Sequence, residues 1–217
     1  MSDDSLTLPG ALETLRSVRT DSDVIITAMG AAREWMALGE LHPLDFVYVP
    51  SSMGQATSLG LGLALARPDL KIVVCNGDGS LLMNLGTLVT ITAAAPPNLV
   101  VLLFDNGAYE VTGAQPTPAT AALRRDQRSL DYPELARACG FADVLSFHEA
   151  GAWQQSARSV LDACGPTLAV LTVPPVPGAR GPRSPGPAAD RARAFTVSVS
   201  AAHRAAPHLD SNRFRER

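Results

Sequence analysis

At 217 residues the chain is long enough for one sizeable α/β domain and too short for three. A 46% hydrophobic share with only 5% aromatics predicts an aliphatic Val/Leu/Ala core, and a net charge of -3 removes the electrostatic reason to expect nucleic acid or an anionic membrane surface as partner. The acidic start MSDDSLTLPG lacks an apolar signal region and no run approaches the ~20 apolar residues of a membrane span, so the expected location is the cytoplasm.

Residues 1–20 read as an N-terminal segment without an assigned element. From there, strands and helices alternate. DVIITA at 23–28 reads as a strand, followed by a helix over 31–39, a short strand over 45–49 and a helix over 54–66. KIVVC at 71–75 and LVVLLF at 99–104 are near-continuous aliphatic runs, the pattern of parallel strands buried on both faces. A helix-length segment at 81–95, closed by Pro96-Pro97, lies between them. A helix is expected over 132–139, a strand over 142–147, a helix over 149–164 and a last strand over 167–173. This alternation predicts an α/β doubly wound, mostly parallel sheet of about six strands with helices on both faces, in one domain spanning 21–175. After Val173 proline, glycine and arginine dominate, and 176–217 reads as a tail that wraps the surface or is partly disordered, since proline removes donors and fixes φ. Residues 192–206 suit a helix or a strand equally. Cys75, Cys139 and Cys164 have no metal-ligand spacing and read as buried free thiols.

Chemistry concentrates where two aliphatic runs end. Gly77-Asp78-Gly79-Ser80 follows the first and opens a helix, whose unpaired N–H groups and positive dipole end attract an anion. Glycines admit close backbone approach, but an aspartate there repels phosphate unless a cation intervenes. The pattern points to a diphosphate with a divalent metal. The next run ends in Asp105-Asn106-Gly107, with 26 residues between Gly79 and Asn106. One crossover helix fits that interval, so Asp78 and Asn106 should leave neighbouring strand ends. Two side-chain oxygens, a backbone carbonyl, two phosphate oxygens and a water would complete the octahedral oxygen set of Mg²⁺.

GDGS followed by Asn106 at this interval resembles the signature of thiamine-diphosphate-dependent enzymes, in the domain that binds the diphosphate. The resemblance implies thiamine diphosphate and Mg²⁺ as cofactors, with Asp78, the Asn106 side chain and the Ala108 carbonyl as metal ligands. It implies contacts from Gly77, Gly79 and Ser80 to the diphosphate, and places Tyr109 beside the cofactor. Ser51-Ser52-Met53-Gly54 resembles the family's Gly-Ser-Met-Gly segment; there Met53 props the cofactor into its bent form and the Ser51 carbonyl accepts from its amino group. Three longer stretches, from SMGQATSLGLGLALARPDLKIVV to DNGAYEVTGAQPTP, look like sulfopyruvate and phosphonopyruvate decarboxylases. In that group a Ser-Thr-Gly-Gly-Gln-Pro-Thr loop lies near the reactive carbon. Its counterpart here is 111–117, which makes Thr112 and Gln115 the candidate catalytic residues. Val111, Ala114 and Glu110 depart from the group, and Glu110 replaces a frequent glycine.

The resemblance further implies decarboxylation of a small 2-oxoacid, of sulfopyruvate or phosphonopyruvate type, to an aldehyde and carbon dioxide. A second anion on the substrate makes Arg124, Arg125 and Arg128 candidates to meet it. The family's activating glutamate belongs to a pyrimidine-binding domain, and the ~20 residues before Asp23 cannot form one. A separate α subunit in a hetero-oligomer is therefore expected, with this chain inactive alone. Two rivals remain: a carboligase subunit of the acetolactate-synthase kind, and a non-catalytic cofactor-binding subunit. A dinucleotide-binding reading fails because residues 29–34 read MGAARE, without the required glycines.

Overall fold

Strands that are apolar on both faces need helices on both sides, and the chain supplies them in alternation. The computed structural model describes residues 4–48, 53–123, 125–176 and 186–202. In chain order the elements are α1 (Leu8–Val18), β1 (Asp23–Ala28), α2 (Met29–Ala37), β2 (Asp45–Tyr48), α3 (Ala56–Ala66), β3 (Lys71–Gly77), α4 (Asp78–Leu82), α5 (Gly86–Ala94) and β4 (Leu99–Asp105). Then come β5 (Ala108–Tyr109), a 3-10 turn (Glu110–Thr112), β6 (Gln115–Pro116), a second 3-10 turn (Ala121–Leu123), α6 (Tyr132–Ala138), β7 (Asp143–Phe147), α7 (Ala150–Asp162), β8 (Thr167–Thr172) and α8 (Ala188–Ala201).

Six strands form one sheet in the order β2-β1-β3-β4-β8-β7, every pair parallel. Alternate side chains divide the core in two. On one face Ile26, Val74, Val101 and Leu103 pack beneath α3, α5, α6 and α8. On the other, Ile25, Val73, Leu102 and Leu171 pack beneath α1, α2 and α7, around the fully buried Trp35 and Trp153. The order reverses between β1 and β3, and open sheets of this kind form a ligand crevice at the carboxyl ends beside such a reversal.

Three expectations change, on the N-terminal segment, residues 81–95 and the cysteines, and an open one is decided. The N-terminal segment contains α1, with Thr7 as its cap through a 3.2 Å bond from the Gly10 N–H, and with Leu8, Ala11, Leu12 and Leu15 buried. The Trp153 indole donates to the Ala11 carbonyl at 3.0 Å, tying α1 to α7. The helix expected at 81–95 is two helices, because Asn84 turns its side chain to the Gly54 carbonyl (2.9 Å) and the Ser58 hydroxyl instead of continuing one helix. In the tail, 188–201 is helical and buries Phe195 and Val199 against the α3 face, so the helix alternative holds for the described part of 192–206; 203–206 lie outside the described residues. All three cysteines are free thiols, but Cys75 alone is fully buried: Cys139 is half-buried and Cys164, in the turn after α7, is exposed. Among the described residues no helix is long and apolar enough to cross a membrane.

Candidate cofactor-binding site

The carboxyl ends of β1, β3 and β4 open on one pocket of about 210 Å³. The β1 exit contributes Met29, Gly30 and Ala31, the β3 exit Gly77 to Ser80, and the β4 exit Asn106, Ala108, Tyr109 and Thr112, with Met53 and Met83 opposite. Register explains the meeting. Asn76 pairs with Leu103 and Gly77 with Phe104, so Asp78 and Asp105 emerge side by side at the same end of the sheet.

Asp78 is 2% exposed, and its carboxyl receives the Thr117 hydroxyl at 3.3 Å together with the Gly79 and Asn106 backbone N–H groups. The contact with the Asn106 backbone brings the two predicted ligands together. Burial, helped by the neighbouring Asp105 carboxylate, pushes the Asp78 pKa up to about 7, against the pull of those donors. Burial also raises Asp105, which the Gly107 N–H and His148 partly offset. Asp78 forms no ion pair among the described residues. The site therefore disfavours the ionised form of both carboxyls, and a cation beside them would restore it. The Asn106 Oδ1 accepts the Ala108 N–H at 2.9 Å, which leaves a second lone pair on that oxygen. No group of three or more His, Cys, Asp or Glu side chains is arranged for a metal among the described residues. One carboxylate, one amide oxygen and one carbonyl instead fit a hard cation whose other ligands come from phosphate and water.

Gly79 is obligatory on steric grounds, since a Cβ there would lie 2.6 Å from the Tyr109 ring. That ring covers the loop. Ser80 accepts the Gly54 N–H at 2.9 Å, which ties the Met53–Gly54 turn to the β3 exit and holds Met53 on the pocket wall. Ser51 and Ser52 lie outside the described residues. Thr112 and Gln115 flank the tip of the β5–β6 hairpin and bond to each other: the Thr112 hydroxyl donates to Gln115 Oε1 and Gln115 Nε2 to the Thr112 carbonyl, both at 3.0 Å. Thr112 lines the pocket, whereas Gln115 is exposed beside it. Between them Ala114 adopts φ +60, the left-handed region, where the resembling loop has glycine. Arg125 and Arg128 are exposed and do not line the pocket, and Arg124 lies outside the described residues. Sequence reasoning missed Thr117, Leu8, Met29 and Gly30. Thr117 stood in a quoted loop, but only the fold brings the other three to the pocket.

Known proteins resemble this chain over most of its length. A phosphonopyruvate decarboxylase of Streptomyces viridochromogenes is 36% identical over 195 residues, covering 88% of this chain and 46% of that protein. A sulfopyruvate decarboxylase subunit beta of Methanothermobacter thermautotrophicus is 40% identical over 145 residues, covering 64% and 72%. The chain thus spans less than half of the longer relative. An X-ray structure described as a thiamin diphosphate-dependent enzyme from Mycobacterium smegmatis shares the fold, with a TM-score of 0.64 over 80% of this chain and 34% of that one at 19% identity. The family model of thiamine pyrophosphate enzymes, C-terminal TPP-binding domain, matches residues 28–171, and the chain belongs to that family.

Proposed function

We propose that this chain is the diphosphate-binding subunit of a heteromeric thiamine-diphosphate-dependent 2-oxoacid decarboxylase, acting on a sulfopyruvate- or phosphonopyruvate-like substrate to give an aldehyde and carbon dioxide. The observation that carries it is the pairing of a buried, uncompensated Asp78 carboxyl with Asn106 at adjacent strand exits. The names of the relatives supply the reaction class, and the "subunit beta" in one of them supports a separate pyrimidine-binding chain.

In this reading Asp78, Asn106 Oδ1 and the Ala108 carbonyl would hold Mg²⁺, which would offset the charge of the diphosphate. The Gly77–Ser80 turn presents backbone to the phosphates at close range because Gly79 has no Cβ. Met53 supports the middle of the cofactor as an apolar wall. When bound, thiamine diphosphate supplies the electron sink that accepts the electron pair left as carbon dioxide departs. Thr112 and Gln115 offer a hydroxyl and an amide to the substrate at the hairpin rim, after exchanging their mutual bonds. The partner supplies the glutamate that activates the cofactor and closes the pocket from the other side, in the cytoplasm.

Calorimetry on the assembled enzyme tests the assignment. Asp78→Ala should remove Mg²⁺-dependent thiamine-diphosphate binding, and undiminished affinity would refute the site. The purified chain alone should release no carbon dioxide from a 2-oxoacid.

A further inference from the structure

Glu110 sits where the resembling loop has glycine, yet it makes two contacts that no neighbour in sequence could make. Its Oε1 accepts the Val176 N–H at 2.6 Å, from the segment that follows β8. Its Oε2 lies 3.2 Å from the point where a Cβ on Gly30 would stand, directly over the first turn of α2. That helix end has unmet needs. Its N-cap is Ala28, which makes no side-chain cap bond, and its first turn contains no acidic residue. The orphan N–H groups and positive dipole end of such a turn favour a carboxylate brought from elsewhere. Beside it Met29, the first residue of α2, holds φ +50, a conformation that persists for a bulky side chain only when its surroundings over-determine it. Met29, Gly30, Glu110 and Thr112 all line the candidate cofactor pocket.

We infer that Glu110 is a positioning residue: its carboxylate clamps the 3-10 turn Glu110–Thr112 between α2 and Val176 and thereby fixes the pocket wall that carries Thr112 and its partner Gln115. Gly30 is part of the device, because a Cβ there would stand 3.2 Å from Oε2 and crowd the carboxylate by a few tenths of an ångström. The inference rests on the proposed function for what that wall faces, a 2-oxoacid, while the clamp itself is independent of it. Glu110 touches neither Asp78 nor Asn106 in any described bond, so the clamp acts on the substrate side and not on the diphosphate side.

Val176 provides a built-in reporter. It stands between Pro175 and Pro177, so its N–H is the single exchangeable amide of that stretch. In the full chain, Glu110→Ala should speed exchange of the Val176 amide about tenfold or more, as expected when a local clamp opens. Glu110→Gln, which keeps a carbonyl acceptor, should restore most of the protection, and Gly30→Ala, which crowds Oε2, should speed exchange by less than Glu110→Ala does. In the assembled enzyme, Glu110→Ala should lower kcat/KM for the 2-oxoacid about tenfold or more, while Mg²⁺–thiamine-diphosphate affinity moves by less than about threefold. Unchanged Val176 exchange in Glu110→Ala would overturn the clamp. Faster exchange with cofactor affinity falling in step with kcat/KM would overturn its confinement to the substrate side. Faster exchange in a chain that binds no thiamine diphosphate at all would leave the clamp standing and sink the proposed function instead.

Discussion

The two ends of the sheet treat buried carboxylates in opposite ways. At the amino ends of the strands Asp45 is 2% exposed in its side chain and forms an ion pair with Arg19, with the Trp35 indole donating to its second oxygen at 2.9 Å. Asp23, close by, accepts the Thr20 N–H at 2.8 Å and faces the Arg158 guanidinium at 3.6 Å. At the carboxyl ends Asp78 and Asp105 lie next to each other, and Asp78 has only neutral donors. Folding alone would favour the first arrangement everywhere, because a buried carboxylate without a cation destabilises the ionised state. The second arrangement makes sense as a socket for a positive ion. The amino-end carboxylates are paired with arginines, whereas in the proposed function the Asp78 carboxyl would meet the cofactor's metal.

Perturbing each end should separate stability from binding. The largest effect on stability is expected at the amino end: Asp45→Ala leaves Arg19 buried without its carboxylate and should cost about 3–5 kcal/mol in urea denaturation. A loss below about 1 kcal/mol would mean that the two ends do not differ as described.

A smaller effect, a few kcal/mol at most, should appear as a pH dependence of the socket. The Asp78 pKa is about 7 in the folded chain and near 3.8 when unfolded, so the folded state holds the proton more tightly. Without divalent cations, its contribution to stability is fully present below about pH 4 and is lost as pH rises towards 7. Asp78→Asn should flatten that window, and thermal melts between pH 4 and 8 in chelator would show it. A wild-type profile no steeper than the Asn variant's would remove the uncompensated charge from the account.

The smallest effect concerns the hairpin rim. Ala114→Gly relieves a left-handed alanine and should stabilise by about 1 kcal/mol, net of the extra entropy glycine loses on folding. A destabilising change in melting temperature would show that the φ of Ala114 carries no strain.

How far the sequence led follows the same division. Strand β1 at Asp23–Ala28 was legible to the residue, and the other sheet strands to within two; for β1, β3, β4 and β8 burial on both faces forces uninterrupted aliphatic runs, whereas the edge strand β7 is largely exposed. Helix α1 has its signals in the sequence too, in Leu8, Ala11, Leu12 and Leu15 at helical spacing behind a Thr7 cap. The break at Asn84 was not legible, since it depends on a bond to Gly54, 30 residues away. Asp78 and Asn106 could be placed at neighbouring strand exits because a single crossover, here of two short helices, sets their spacing. Glu110 stood out only as a departure from a resembling loop, and its role depends on Val176 and Gly30, which lie far from it in sequence.

The most direct measurement is anomalous diffraction from crystals of the assembled enzyme grown with thiamine diphosphate and Mn²⁺ in place of Mg²⁺. The account predicts one strong peak about 2.0–2.3 Å from an Asp78 carboxylate oxygen and from Asn106 Oδ1, with the diphosphate on its far side. A bound diphosphate whose metal sits on other residues, or a pocket that stays without metal while the cofactor binds, would contradict it.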